Sequence, residues 1–228
     1  MAVDIRWLGQ SCFELTAGDT TVVTDPFLTG NPKAAAAADE LQPDVIALTH
    51  GHADHLGDTV DIAKRTGATV VAIVELANEI AGNGVENVLD PNLGGTVTFD
   101  WGWIKLVPAW HTAVSPNGTP HTPAGLLIFI GDRLIYHLGD TCLFSDMQLI
   151  ARRGDPVALA LVPIGGHYTM DRIDAVTAVE FIDPGTVIPV HYGTFPPIET
   201  DAEAFKSDVE SQTSAKVAIL APGETWQP

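Results

Sequence analysis

Four potential metal ligands fall within six residues in Thr49-His50-Gly51-His52-Ala53-Asp54-His55, directly after the apolar run Val45-Ile46-Ala47-Leu48. The run reads as a buried strand, which places the ligands at its end. Side chains two apart on extended backbone point the same way, so His50 and His52 can close on one cation while Asp54 and His55, round the following turn, reach a second. Imidazole and carboxylate suit zinc, manganese or iron. The plain alternative is a polar loop rich in histidine, but an ordinary loop has no reason to hold such a set beside an apolar strand.

The elements needed to position this cluster can be read along the chain. Val3 to Leu8, Ser11 to Leu15 and Thr20 to Thr24 read as strands, with a turn at Ala17-Gly18-Asp19. The third runs into Asp25-Pro26, where proline forbids continuing the ladder. Asp25 is then either a carboxylate that hydrogen-bonds the back of a ligating histidine or a turn-initiating residue. Alanine-rich Lys33 to Leu41 predicts a short helix, and Asp58 is placed to cap a helix through Thr66 with Gly67 as its stop. Further strands are expected at Thr69 to Val74, Thr96 to Phe99, Ile104 to Ala109, Gly125 to Ile130 and Arg133 to Leu138. Helix Glu75 to Ala81 follows the first of these, and Ser115 to Pro123 reads as a polar surface loop.

Ligand types recur where these strands end. One strand delivers His111, another His137 and Gly139-Asp140-Thr141, and the alternating strands and helices from Val157 onward deliver His191 after Thr186 to Val190. Asp140 is the candidate for a carboxylate shared by two cations, since each oxygen can take one. Several rigid elements ending in ligands at one edge of a core is what a cation site requires.

Composition sets the outer limits. The chain has 228 residues, 46% hydrophobic and 18% charged, enough for a sizeable core. Its 29 acidic and 11 basic residues give a net charge of −18, a field that repels nucleic acid and anionic membranes. Arg152, Arg153 and Arg172 remain available for a small phosphate. No run of about 18 apolar residues could span a bilayer, and the first residues lack a signal-peptide pattern. The expectation is a cytoplasmic protein with a small-molecule substrate and no nucleic-acid or membrane partner. Cys12 and Cys142 are expected as packed core residues.

In combination, His50-x-His52-x-Asp54-His55, His111, Asp140 and His191 resemble the metallo-β-lactamase superfamily of metal-dependent hydrolases, across nearly the whole chain. Trp7-Leu8-Gly9-Gln10-Ser11, Asp25-Pro26-Phe27-Leu28-Thr29-Gly30-Asn31-Pro32, Pro163-Ile164-Gly165-Gly166-His167-Tyr168 and His191-Tyr192-Gly193-Thr194-Phe195 narrow the likeness to a group related to L-ascorbate-6-phosphate lactonase. The resemblance implies one αββα sandwich domain over residues 1–228, an α/β fold of two mixed sheets flanked by helices. It also implies two divalent cations, zinc first, with manganese or iron and a single ion as alternatives. His50, His52 and His111 would hold the first, Asp54, His55 and His191 the second, and Asp140 would bridge. The implied reaction is attack by a metal-bound hydroxide, oriented by Asp54, on a lactone or other ester of a small molecule, phosphorylated or not. A phosphodiesterase and a non-catalytic metal-binding protein are the alternatives. His at position 52, where oxygen-reducing relatives carry Glu, favours hydrolysis over redox chemistry.

Two residues depart from the group's pattern: Gln10 replaces an expected His, and Cys142 follows Asp140 where small residues are usual. Gln10 is read as altering substrate contacts without touching the metals. His137 is expected behind the ligands or in the core, His167 in substrate contact or loop packing, and His121 in solvent.

Overall fold

The computed structural model describes residues 2–150 and 154–227; Arg152 and Arg153, two of the cations considered above for a phosphate, lie outside these. Three strands, β1 (Asp4–Gly9), β2 (Cys12–Ala17) and β3 (Thr20–Thr24), form an antiparallel meander. To its third strand β4 (Val45–Ala47), β5 (Thr69–Val71) and β6 (Val88–Leu89) add in parallel. Parallel neighbours need crossovers. Here α1 (Ala53–Leu56) and α2 (Thr59–Thr66) link β4 to β5, and α3 (Val74–Gly82) links β5 to β6.

A second sheet repeats the scheme. β7 (Thr96–Phe99) and β8 (Gly102–Pro108) lead through the small hairpin β9 (Ala113–Val114) and β10 (Pro120–His121) to β11 (Ala124–Ile130) and β12 (Arg133–His137). After α4 (Met147–Ile150) come β13 (Val157–Pro163), α5 (Arg172–Ile182), β14 (Thr186–Val190), α6 (Ala202–Gln212) and β15 (Lys216–Val217). The main strands are antiparallel from β7 to β12 and parallel from β12 to β15. Finally β16 (Thr225–Trp226) returns to pair with β1, so that among the described residues each of the two large sheets has seven strands.

Strand periodicity explains how the layers close. Leu126, Ile128, Leu159 and Leu161 point to a core shared with Ile5, Phe13, Leu15 and Ile46 of the first sheet. Their alternate neighbours Leu127, Ala160 and Val162 face the helical side, against Val176 and Val179 of α5 and Phe205 of α6. Helices α2 and α3 cover the first sheet with Ile62, Leu76 and Ile80. The result is the expected αββα sandwich. Burying each large aliphatic side chain contributes about 2 kcal/mol, so two-sided strands such as β11 and β13 anchor the whole. Among the described residues no helix is long and apolar enough to cross a membrane.

Local expectations met three corrections. Lys33 to Leu41 holds only a single 3-10 turn at Ala38–Glu40. So short a stretch is marginal as a helix, and its alanines pack on the shared core while the Ala35 amide donates to Leu8 at 3.1 Å. Asp58 stands at the head of α2 but makes no side-chain cap; its carboxylate accepts instead from the amides of Leu28 and Thr29, at 3.0 and 2.8 Å. Ser115 to Pro123 contains β10, pinned to α3 where Ser115 and Asn117 donate to Glu79 at 2.5 and 2.8 Å.

Asp58 thus ties the loop after β3 to α2. Asp58→Ala should destabilise the metal-free protein by about 1–3 kcal/mol, because two amides lose a charged acceptor; urea unfolding with an unchanged midpoint would refute the tie.

Candidate metal centre

The site lies where strands of both sheets end. Beyond β4 the chain stays extended through Leu48, whose amide donates to Val71 at 2.9 Å. Thr49 then donates to Asp25 from both its amide (2.8 Å) and its hydroxyl (2.6 Å). Asp25 follows β3 with φ of +40°, a conformation that non-glycine residues adopt only when their surroundings enforce it. Its Oδ2 also accepts from Nδ1 of His55 at 2.8 Å. That bond places the His55 proton on Nδ1 and turns Nε2 toward the site. Of the two readings of Asp25, the structure supports the carboxylate behind a histidine.

Three groups of side chains converge. Ligand atoms of His50, His52 and His111 all lie within 4.8 Å of one another, as do those of Asp54, His55 and His191 and those of His50, His55 and Asp140. Asp140 touches both of the outer groups. Its Oδ1 is 3.3 Å from Nε2 of His55, and its Oδ2 lies 3.1 Å from Nε2 of His191, 3.7 Å from that of His111 and 3.9 Å from that of His50. All seven sequence candidates therefore meet at one place.

The electrostatics divide the cluster. Burial lowers the pKa of His50, His52 and His111 and keeps them neutral, as a ligating imidazole must be. Burial acts the same way on His55 and His191, but there it is outweighed: Asp140 and Asp25 raise His55, and Asp140 with Asp54 raises His191 to about 9. Burial would raise the two carboxylates, yet His191 and His55 hold Asp54 and Asp140 below the usual range. Both carboxylates are thus held in the ionised form by the imidazoles beside them, which is also the form that ligates a cation.

The residues fit a divalent cation. Nε2 of His55 and Oδ1 of Asp140 are buried and, beyond the 3.3 Å ion pair they form with each other, have no hydrogen-bond partner, an arrangement that leaves both open to a cation. The donors are imidazole nitrogens and carboxylate oxygens, the set for zinc, manganese or iron. Over them opens a cavity of about 510 Å³, whose floor includes His52, Asp54, His111, Asp140 and His191.

Other expectations divide. His137 is fully buried, with Nε2 3.0 Å from the Ser11 carbonyl and Nδ1 accepting from the Gly139 amide at 3.0 Å, so it shapes the turn into Asp140 from behind. Gln10 stands behind two candidate ligands: its side-chain amide donates to Oδ2 of Asp54 at 2.9 Å, while its backbone carbonyl accepts from the amide of His191 at 3.2 Å and from the Trp7 indole at 3.1 Å. It braces two candidate ligands because the β1–β2 turn projects into the gap between the sheets. His167 is exposed and is not among the described residues lining the cavity; its neighbour Tyr168, ring centroids 4.5 Å away, lines it. Cys142 is exposed, not packed, because the chain turns outward where its amide donates to Trp110. Arg172 pairs with Asp208.

His121 is the residue that sequence reasoning missed. It does not stand free in solvent: its Nε2 accepts from the Gly51 amide at 2.8 Å, and its Nδ1 lies 3.1 Å from the Thr119 carbonyl. The fit is close, since a Cβ on Gly51 would lie 2.8 Å from Cε1 of His121. Thus the β9–β10 hairpin holds the loop between His50 and His52.

Comparison with known proteins agrees with this geometry. Residues 4–191 match the beta-lactamase superfamily domain. A metal-dependent hydrolase of Methanopyrus kandleri is 48% identical over 98% of this chain and 99% of its own length. Another, from Thermus thermophilus, is 47% identical over 97% of each. Among solved structures, a metallo hydrolase of Ignicoccus hospitalis superposes with a TM-score of 0.90 at 36% identity, covering 100% of this chain and 99% of the other.

His121→Ala should lower metal affinity about 10-fold or more with little loss of stability, by freeing the Gly51 backbone. Competition with a chelating dye, alongside thermal unfolding of the metal-free protein, measures both; unchanged affinity would reduce His121 to a packing residue.

Proposed function

Because the chain belongs to the beta-lactamase superfamily and is a metal-dependent hydrolase, we propose that one hydrolase domain spans residues 1–228 and cleaves a lactone or other ester of a small molecule. In this reading His50, His52 and His111 hold one divalent cation, Asp54, His55 and His191 a second, and Asp140 both, with zinc the first candidate. The observation that carries it is the position of Asp140, with Oδ1 against His55 and Oδ2 against His191 and His111.

Bound there, divalent cations supply water activation near neutral pH and polarise the oxygen of the scissile group. The protein's own residues do the rest. Asp54 has its Oδ2 fixed by Gln10 and its side chain 29% exposed on the cavity. It stays ionised, so it orients the attacking water by accepting its hydrogen bond and passes the proton toward the leaving group. Asp25 and Thr49 keep His55 in one tautomer, and Gln10 with Trp7 sets the approach of His191. A preorganised centre of this kind needs no rearrangement as charge develops.

Two outcomes test the reading. Asp140→Ala should lower bound metal, measured by elemental analysis, and abolish chelator-sensitive hydrolysis in a panel of lactones and bis-phosphodiesters. Normal metal stoichiometry in that variant would remove Asp140 from its bridging role, and turnover of phosphodiesters alone would replace the ester with a phosphodiesterase reading. Metal binding should also release protons, because the carboxylates beside His55 and His191 raise the pKa of both and favour their protonated forms, and those protons must leave for the imidazoles to ligate. Since the His191 pKa is about 9, affinity should fall as pH drops below it, by roughly tenfold per pH unit for each proton displaced; calorimetry in buffers of different ionisation enthalpy reads the proton count directly.

A further inference from the structure

The cavity over the centre is polar at its floor and apolar along one wall. Phe27, just after β3, and Phe195, after β14, face each other with ring centroids 6.4 Å apart. Ile198, Pro197 and Tyr168 extend the same wall. Both phenylalanines are only half-buried, so each leaves aromatic surface for a ligand to cover, and covering it is favourable. The wall is assembled by the same strand ends that present the candidate ligands, so anything reacting at the floor must lie against it.

The lining is equally informative in charge. Among the described residues lining the cavity none is lysine or arginine, and Arg172, four residues beyond Tyr168, is engaged by Asp208. Among the described residues, a phosphate carried on the substituent and lying along this wall would meet apolar surface with no lysine or arginine to pair it, at a desolvation cost. The net charge of −18 acts against it from a distance too.

Resting on the hydrolase reading above, we infer that the substrate is an uncharged carboxylic ester or lactone with an aryl or alkyl substituent seated against the wall of Phe27, Phe195 and Tyr168, and without a phosphate. Water's oxygen bonds to the acyl carbon, the acyl carbon–oxygen bond breaks, and the leaving oxygen takes the proton that the water loses. Phe195 and Phe27 are then specificity-determining residues, acting on the substituent and not on the reacting atoms.

The test uses the zinc-loaded protein and three unreactive lactams: unsubstituted, phenyl-substituted and phosphomethyl-substituted, with the matching lactones as substrates. In calorimetry the phenyl lactam should bind about tenfold tighter than the unsubstituted one or better, and the phosphorylated lactam no tighter than the unsubstituted one. In Phe195→Ala the phenyl preference should shrink about tenfold, and in Phe195→Leu, which keeps an apolar wall, by less. Equal binding of phenyl and unsubstituted lactams, or tightest binding of the phosphorylated one, overturns the inference even if lactones are hydrolysed. A phenyl preference that persists undiminished in Phe195→Ala also overturns it. Phenyl-preferring binding with hydrolysis confined to phosphodiesters supports the apolar wall and removes the ester reading, so the two failures are distinct.

Discussion

A carboxylate taken out of water governs this structure. Asp140 is 2% exposed, and an isolated ion in such a place would cost several kcal/mol. It remains ionised because imidazoles from both sheets surround it, His55 from beside β4 and His191 from the end of β14. Every layer of support serves that encounter: Asp25 and Thr49 fix His55, His137 shapes the turn before Asp140, and Gln10 joins Asp54 to His191. Protons on His55 and His191 balance the charge when no cation does, which makes the centre a place where protons and metal ions compete.

The sandwich makes such an encounter possible by alignment. In the first sheet β3, β4 and β5 are mutually parallel. In the second, β8 and β12 both run antiparallel to β11, and hence parallel to each other and to β13 and β14. The carboxyl ends of the strands that deliver Asp25, His50, His111, Asp140 and His191 thus gather at one rim, the usual place for ligands in sheets of this kind. Rigid strands then set the ligand spacing, and the loops beyond them are left to shape the cavity.

Much of this was legible because ligand chemistry is conspicuous against apolar strands. His50-x-His52-x-Asp54-His55 after Val45 to Leu48 stands out in a way that no packing requirement explains, and His111, Asp140 and His191 repeat the signal at later strand ends. What stayed hidden depended on tertiary partners. Nothing local in Lys33 to Leu41 says that its alanines will lie on the core instead of forming a helix. His121 sits in a stretch rich in Pro and Gly, and only the fold brings it to Gly51. Phe27 and Phe195 look like any core phenylalanine in sequence; that they line a cavity follows from strand ends meeting in space. Asp58 stands at a helix start, as its residue type suggests, yet its carboxylate accepts from Leu28 and Thr29, partners that no spacing rule anticipates.

The return of β16 to the edge of β1 has a consequence for how the chain is made. Ile5 pairs with Trp226 and Arg6 with Thr225, so on the ribosome the outer edge of the first sheet stays open until Thr225 and Trp226 have emerged, long after β1. The candidate ligands impose the same order, since His50 and His191 come from opposite halves of the polypeptide. Contacts so distant in sequence are slow to form, and an unpaired strand edge invites association with other chains meanwhile. Nascent chains of this architecture are therefore most exposed to aggregation in the interval after the apolar strands have been made and before β16 closes the edge of β1.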